Sequence, residues 1–289
     1  MSHCRAALLS DRSVLRVTGP DAHKLLQGVI TNNLDRTQDG AAIHAGLLSP
    51  QGKILFDFFV VTAGDGYLIE VSREKAAELV KRLGFYRLRA KVEIAELRSS
   101  AWPRRGTARP IRRPAPSLMP IRGWPRLESA CCCQAATTVA DLGCEPASED
   151  DYHAMRIKLG VPEGGRDYAF GDAFPHDALF DQLNGVDFKK GCFVGQEVVS
   201  RMQHRGTARK RIVPVEGDAP LQSGGEIEAG GLPIGPIGSV NGIFGLALVR
   251  LDRVEDAVAK GNPLAVDGTR VTLRRPSFAT FDVPTGVPA

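Results

Sequence analysis

Lys190-Gly191-Cys192-Phe193-Val194-Gly195-Gln196-Glu197 sets a single thiol between two glycines, behind a pair of lysines (Lys189, Lys190) and ahead of a helical pattern. The glycines let the backbone turn and approach a neighbour closely. Gln196 to Met202 reads as the opening turns of a helix. Its N-terminal dipole, together with the two lysines, favours the thiolate form of a nearby cysteine. The same residues also read as a glycine-flanked loop cysteine without a chemical role, since most lone intracellular cysteines are small buried hydrophobes.

The order K-G-C-[FY]-x-G-Q-E resembles the signature of the YgfZ-type folate-binding proteins. These form a branch of the glycine-cleavage T-protein (aminomethyltransferase) superfamily linked to maintenance of iron–sulfur proteins. Other segments carry the resemblance across most of the chain. Val17-Thr18-Gly19-Pro20-Asp21-Ala22 with Leu25-Leu26-Gln27-Gly28 is similar to the family's opening strand and helix. Arg87-Leu88-Arg89-Ala90-Lys91-Val92 is similar to the end of its first domain. Gly231 to Gly235 and Gly245 to Arg250 are similar to its C-terminal barrel. The resemblance implies an α+β, T-protein-like multi-domain arrangement around a central folate cavity, closed by a small C-terminal β-barrel. It implies tetrahydrofolate or a derivative as cofactor, and iron–sulfur proteins or assembly factors as partners. Cys192 is then the functional thiol. Lys190, Gly191, Phe193, Gly195, Gln196, Glu197 and Arg201 are expected around the cofactor with it.

With 289 residues, 43% hydrophobic and 24% charged, the chain can bury a core in two or three compact units. No apolar run approaches membrane-spanning length. The first eleven residues show neither a long apolar stretch nor an Arg/Ser-rich amphipathic pattern, so the expectation is a cytoplasmic protein, and a monomer. Six cysteines (4, 131, 132, 133, 144 and 192) form no C-x-x-C pair, so no metal is expected to be bound by this chain alone. The net charge of +4 equals the excess of seven arginines over three acids between Ser100 and Glu145. The rest of the chain is neutral, which argues against nucleic acid as a partner.

Four regions follow from the pattern. Residues 1–98 read as an α+β domain. Ser13–Val17 is a strand and Asp21 caps a helix through Gln27. Ser49-Pro50-Gln51-Gly52 turns a hairpin between Ala45–Leu48 and Lys53–Val61. Tyr67–Val71 is a strand, Ser72 opens a helix ended by Gly84, and Lys91–Leu97 closes the sheet. Residues 99–147 break the pattern with Arg/Pro-dense text and three consecutive cysteines. This is either a disordered basic insertion or text read in a shifted GC-rich frame, and poor packing is expected in both cases. Residues 148–207 resume with a capping box at Ser148 and Asp151, a helix ended by Gly160 and Pro162, and the Cys192 motif. Residues 208–289 read as a small barrel with a tail, with strands at Arg211–Val215, Gly238–Val240, Gly245–Arg250 and Thr269–Leu273.

A folate asks for a buried carboxylate facing its pterin N–H groups, flat apolar walls, and a basic rim for its glutamate tail. Phe174-Pro175-His176-Asp177 is similar to a P-x-E element of the superfamily, with Asp177 in place of glutamate as the implied pterin reader. Without the resemblance, Asp177 reads as a turn or N-cap acid. Tyr168, Phe170, Phe174, Phe180 and Phe193 can wall a pocket or simply fill the core, and Arg156, Arg201 and Arg205 can meet the tail. Asp57 falls where aminomethyltransferases carry a pair of acids, of which this chain keeps the second behind Phe56. Period-2 alternation sets Asp57 opposite Phe56 and Phe58, so it is either an exposed strand acid or a buried functional one. His44, His153, His176 and His204 show no metal-ligand spacing and are expected to be structural.

The resemblance leaves two functions open. One is a folate-binding accessory protein supporting iron–sulfur cluster assembly or repair through Cys192. The other is a tetrahydrofolate-dependent aminomethyltransferase or related one-carbon transferase, which needs an acid at position 57 and no cysteine.

Overall fold

The computed structural model describes residues 5–7, 9–37, 41–97, 145–206 and 208–285. The sequence expectation for residues 99–147 falls almost wholly outside them. The chain opens with β1 (Arg5–Ala6), β2 (Arg12–Thr18), α1 (Ala22–Val29) and a 3-10 turn (Leu34–Thr37). β3 (Ile43–Leu48), β4 (Ile54–Ala63), β5 (Gly66–Ser72), α2 (Arg73–Arg87) and β6 (Glu93–Leu97) follow. Then come β7 (Glu145–Pro146), α3 (Glu149–Leu159) and α4 (Gln196–Arg205). The last section holds β8 (Lys210–Gly217), β9 (Glu226–Ala229), β10 (Leu232–Asn241), β11 (Phe244–Arg250), α5 (Leu251–Ala259), β12 (Leu264–Val266) and β13 (Thr269–Leu273).

β3-β4-β5-β2-β6 form a five-stranded antiparallel sheet. Helices α1 and α2 cover its apolar face. α1 buries Ala22, Leu25, Leu26 and Val29, and α2 buries Ala76, Leu79 and Leu83, the spacing of one helix face. They close over Leu15, Val17, Phe56, Phe58 and Ile69. Two local readings change. The Asp21 side chain does not cap α1; it accepts a hydrogen bond from the Lys91 backbone N–H at 2.7 Å. Gly84 does not end α2, which runs on to Arg87 because Tyr86 still packs against the core.

The capping box forms as expected: Asp151 N–H donates to Ser148 Oγ and Ser148 N–H to Asp151 Oδ2, both at 3.0 Å. Gly160 ends α3 in the left-handed conformation. The last section is a closed barrel, β10-β11-β8-β13-β12-β9, filled by Val213, Val215, Ile227, Val249, Val271 and Leu273. The α+β class with a C-terminal barrel is therefore what the chain adopts. A third apolar cluster joins the units. It takes Leu48 and Ile54 from the sheet, Ile157 from α3, Tyr168, Phe180 and Phe193 from the loop, Val199 from α4, and Ile212 and Leu246 from the barrel. The irregular chain of residues 160–195 crosses this junction. It carries the residues singled out above.

Candidate functional site

The Cys192 loop is tied down at both ends, and the thiol itself is exposed. Upstream, the buried Asp187 carboxylate accepts the Lys189 backbone N–H at 2.8 Å and pairs with Arg36 at 2.9 Å. Lys190 Nζ donates to the carbonyls of Gln27 at 2.5 Å and Ile30 at 2.7 Å, at the C-terminal end of α1. Burial, opposed by Asp187, pushes the Lys190 ammonium down to about 8. Its charge therefore serves the helix end, where orphan carbonyls want a donor, and is not free for the thiol as the sequence suggested. Downstream, Phe193 enters the junction core with Lys190 Nζ 5.4 Å from its ring centre.

Gly195 has φ +78°, and a Cβ there would meet the Ser49 carbonyl oxygen at 2.5 Å and Gly52 Cα at 3.0 Å. The start of α4 thus lies against the β3–β4 turn, and only glycine permits that approach. Gln196 is half-buried at the first position of α4, while Glu197 and Arg201 are exposed. Gly191, at φ +99°, has open space around it.

Asp177 is buried, and its Oδ2 accepts the Phe174 backbone N–H at 2.9 Å. Burial raises its pKa, opposed by that N–H and by Lys210, Lys53 and Arg211. One oxygen of the expected pterin reader is therefore closing its own turn. Lys53 lies over the Phe174 ring at 3.6 Å. Arg156 is buried and engaged with Asp167 Oδ2 and Ser239 Oγ, each at 2.6 Å, so it does not form a basic rim. Arg201 and Arg205 remain exposed.

Asp57 is buried. The alternation holds, with Phe56 and Phe58 against the helices, but the opposite face is covered by the 163–180 loop. Asp57 Oδ2 accepts from Tyr168 Oη at 2.6 Å and from the Gly164 N–H at 3.1 Å, while Oδ1 is buried without a partner. His44 stacks on Phe180 at 4.3 Å between ring centres. Burial pushes its pKa down to about 4, with Asp57 opposing and Arg12 adding to the effect.

Around this pair lies a buried ionic network that sequence reading missed. Arg12 pairs with Glu70 and lies 3.5 Å from Glu163; Glu163 lies 3.2 Å from Arg156. Glu163 is pushed up to about 7 by burial, with Arg156 and Arg12 opposing. Asp11, Glu149 and His153 bring donor atoms within 4.8 Å of one another. Arg166 binds Asp11 at 2.9 Å and Arg156 donates to His153 Nδ1 at 3.0 Å, so the group extends the ionic network. Glu149, His153, Arg156, Glu163 and Arg166 share one short stretch, but their partners Asp11, Arg12 and Glu70 lie far from it in sequence, and spacing could not have joined the two sets.

A pocket of about 200 Å³ opens where Asn32, Arg36, Ile43 and Asn184 meet. Thr31 Oγ1 donates to the Gly185 carbonyl at 2.6 Å, and Asn32 Nδ2 to the Asn184 carbonyl at 2.6 Å and the His44 carbonyl at 2.8 Å. These buried bonds lock the approach to the Cys192 loop onto the sheet edge. The run Thr31-Asn32-Asn33 directly after a helix was the one local pattern that could have pointed to them.

The profile described as CAF17, C-terminal beta-barrel domain, matches residues 209–281. The Neurospora crassa iron–sulfur cluster assembly factor IBA57 homolog, mitochondrial, is 34% identical over 76% of this chain and 57% of its own length. The chain thus spans less than two thirds of that relative. The Pyricularia oryzae homolog of the same name is 32% identical over 89% of this chain and 74% of its own. Human iron–sulfur cluster assembly factor IBA57, mitochondrial, is 32% identical over 92% and 82%. The glycine cleavage system aminomethyltransferase T from Bartonella henselae superposes with a TM-score of 0.69 over 96% of this chain and 86% of that one. At 15% identity it shares the fold. The T-protein fold implied by the motif holds, and these relatives carry the IBA57 name, where the motif suggested the related YgfZ-type branch. The cytoplasmic expectation is corrected: the relatives are mitochondrial proteins by name, and eleven residues of composition do not decide a compartment.

Proposed function

From the premise that the chain belongs to the IBA57 family of iron–sulfur cluster assembly factors, we propose that it supports cluster assembly or repair by presenting Cys192 to a cluster-bearing partner protein. The observation that carries this reading is an exposed thiol on a loop fixed by Lys190 at one side and by Gly195 at the other. Iron–sulfur clusters are usually held by four thiolates. Among the described residues Cys192 is the one cysteine, so the described part of the chain offers one ligand or one transient contact, and a cluster-bearing partner is proposed to supply the others. That division of labour suits a factor that acts on clusters belonging to other proteins.

The test is Cys192→Ala in cells whose own copy of the gene is removed. Iron–sulfur enzyme activity is expected to fall to the level of the deletion. The melting temperature of the purified variant should stay unchanged, because the side chain is exposed. Full activity in the alanine variant removes the thiol from the mechanism.

A folate is the second part of the proposal. The fold supports it, as does Asp57 Oδ1, a buried acceptor still lacking a donor. The pocket of about 200 Å³ takes only part of such a molecule, since sites for ligands of this size run to roughly 300–1,000 Å³. Calorimetric titration with tetrahydrofolate is expected to show binding that weakens about tenfold or more in Asp57→Asn and less in Asp177→Ala. Absence of binding heat in the wild type ends the folate part alone. The one-carbon transferase alternative is weakened by Tyr168 and Gly164, which already occupy Asp57 Oδ2.

A further inference from the structure

Helix α2 carries exposed apolar side chains outside its core face, at its C-terminal end. Ala76, Leu79 and Leu83 face the sheet. On its other side, Lys81, Gly84, Phe85 and Leu88 recur at the i, i+3, i+4, i+7 spacing of a single stripe and are all exposed. Phe85 is 62% exposed; Leu88, at 87%, is the most exposed of the large hydrophobic side chains among the described residues. Leu88, at the end of the helix, holds φ +45°, a conformation strained for a side chain with a Cβ. Glycine in a helix costs stability relative to alanine, yet a Cβ on Gly84 would meet nothing within 4 Å. Packing within this chain therefore does not require that glycine, and its bare backbone is open to a neighbour. Five cations, Lys81, Arg82, Arg87, Arg89 and Lys91, fall between Glu78 and Glu93 with no acid among them. Arg87 donates to the Val92 carbonyl at 3.4 Å. The other four form no ion pair with a described acid.

This stripe is linked to the thiol through one helix. The N-terminal end of α1 is joined to the end of the stripe, where the Lys91 N–H donates to Asp21 Oδ2 at 2.7 Å. The C-terminal end of α1 is held by Lys190, two residues from Cys192. α1 has eight residues, about 12 Å of helix. A standard interface of about 800 Å² per partner is roughly 30 Å across, wide enough to span both ends.

Building on the iron–sulfur reading, we propose that the outer stripe of α2 is the docking surface for the partner whose cluster Cys192 meets. That partner's contacting face is acidic around an apolar recess that receives Phe85 and Leu88. A single-stranded nucleic acid wants several aromatics for successive bases, whereas this stripe has one exposed aromatic, Phe85, beside the exposed leucine Leu88, which favours a protein.

The test places a benzophenone amino acid at position 85 of the full chain in cells. The crosslinked protein is identified, then purified with its cluster and titrated against the wild type and variants. Leu88→Gly relieves the backbone strain, so its melting temperature should rise while the dissociation constant increases about tenfold. Arg89→Glu combined with Lys81→Glu should weaken binding further, and rising salt should weaken the wild-type complex. Met155→Asp, at an exposed apolar residue on α3, should leave affinity unchanged. Unchanged affinity in the α2 variants, or a crosslink only to RNA or to a second copy of this chain, overturns the docking surface. If Cys192→Ala abolishes iron–sulfur enzyme activity while Leu88→Gly and the charge-reversed variant keep it in full, the docking surface falls and the thiol reading stands. If Cys192→Ala stays active while the α2 variants lose affinity for the identified protein, the surface stands and the thiol reading falls.

Discussion

Gly195 and Gly191 flank the same thiol, and one has a reason to be glycine that the other lacks. Both hold positive φ, but an added Cβ at Gly195 strikes the backbone of the β3–β4 turn, whereas at Gly191 it enters open space. Gly195→Ala should therefore cost both the conformational penalty and the clash, at least about 2 kcal/mol, and Gly191→Ala only the former, about 1 kcal/mol. Chemical denaturation of the two variants measures the difference; equal losses would mean that the turn and the helix start do not touch. Lys190 works by the same economy of position. Removing its ammonium in Lys190→Met leaves the Gln27 and Ile30 carbonyls without their donor, at about 1–3 kcal/mol. It should also raise the rate at which a small thiol reagent modifies Cys192, because the loop loses its anchor. A modification rate equal to wild type would show that Lys190 does not hold the loop.

Among the elements, α2 shows how far a local reading reaches. The residues that face the sheet were legible, because Ala76, Leu79 and Leu83 keep a helical period. The end of the helix was not, because a glycine stop signal at position 84 is overridden when Tyr86 can still reach the core. The helix ends instead on Leu88, where the chain turns toward β6 at positive φ. α3 is the contrasting case. Its capping box and its glycine end involve residues within a few positions of each other, and both formed as read. Ser148→Ala should cost about 1 kcal/mol, seen as a lowered denaturation midpoint with unchanged slope.

At the scale of the molecule, the units are held by buried polar contacts as well as by apolar packing. Arg156 reaches from α3 to Asp167 in the loop and Ser239 in the barrel. Asp167→Ala leaves that guanidinium buried without its closest counter-ion, so a loss of about 3–5 kcal/mol is expected in urea denaturation, and a much smaller loss when Arg156→Met is added. His44 adds a pH dependence. Its folded-state pKa of about 4 lies below its ordinary 6.5, so its contribution to stability is complete above 6.5 and lost as the pH falls through 4. The difference amounts to about 3 kcal/mol. His44→Gln should flatten stability between those pH values relative to wild type, and parallel curves would show that His44 is not buried as a neutral ring. The chain's own residues settled the class of the fold, the hairpin, the capped helix α3 and the loop that carries Cys192, because each depends on neighbours within a few positions. Whether Asp57 is covered, whether Arg156 is available, and where the Lys190 charge goes were decided only in three dimensions. Asp57 and Lys190 meet segments more than a hundred residues away, and Arg156 meets the barrel as well as the loop that follows it; no local pattern encodes which surface such a segment will bury.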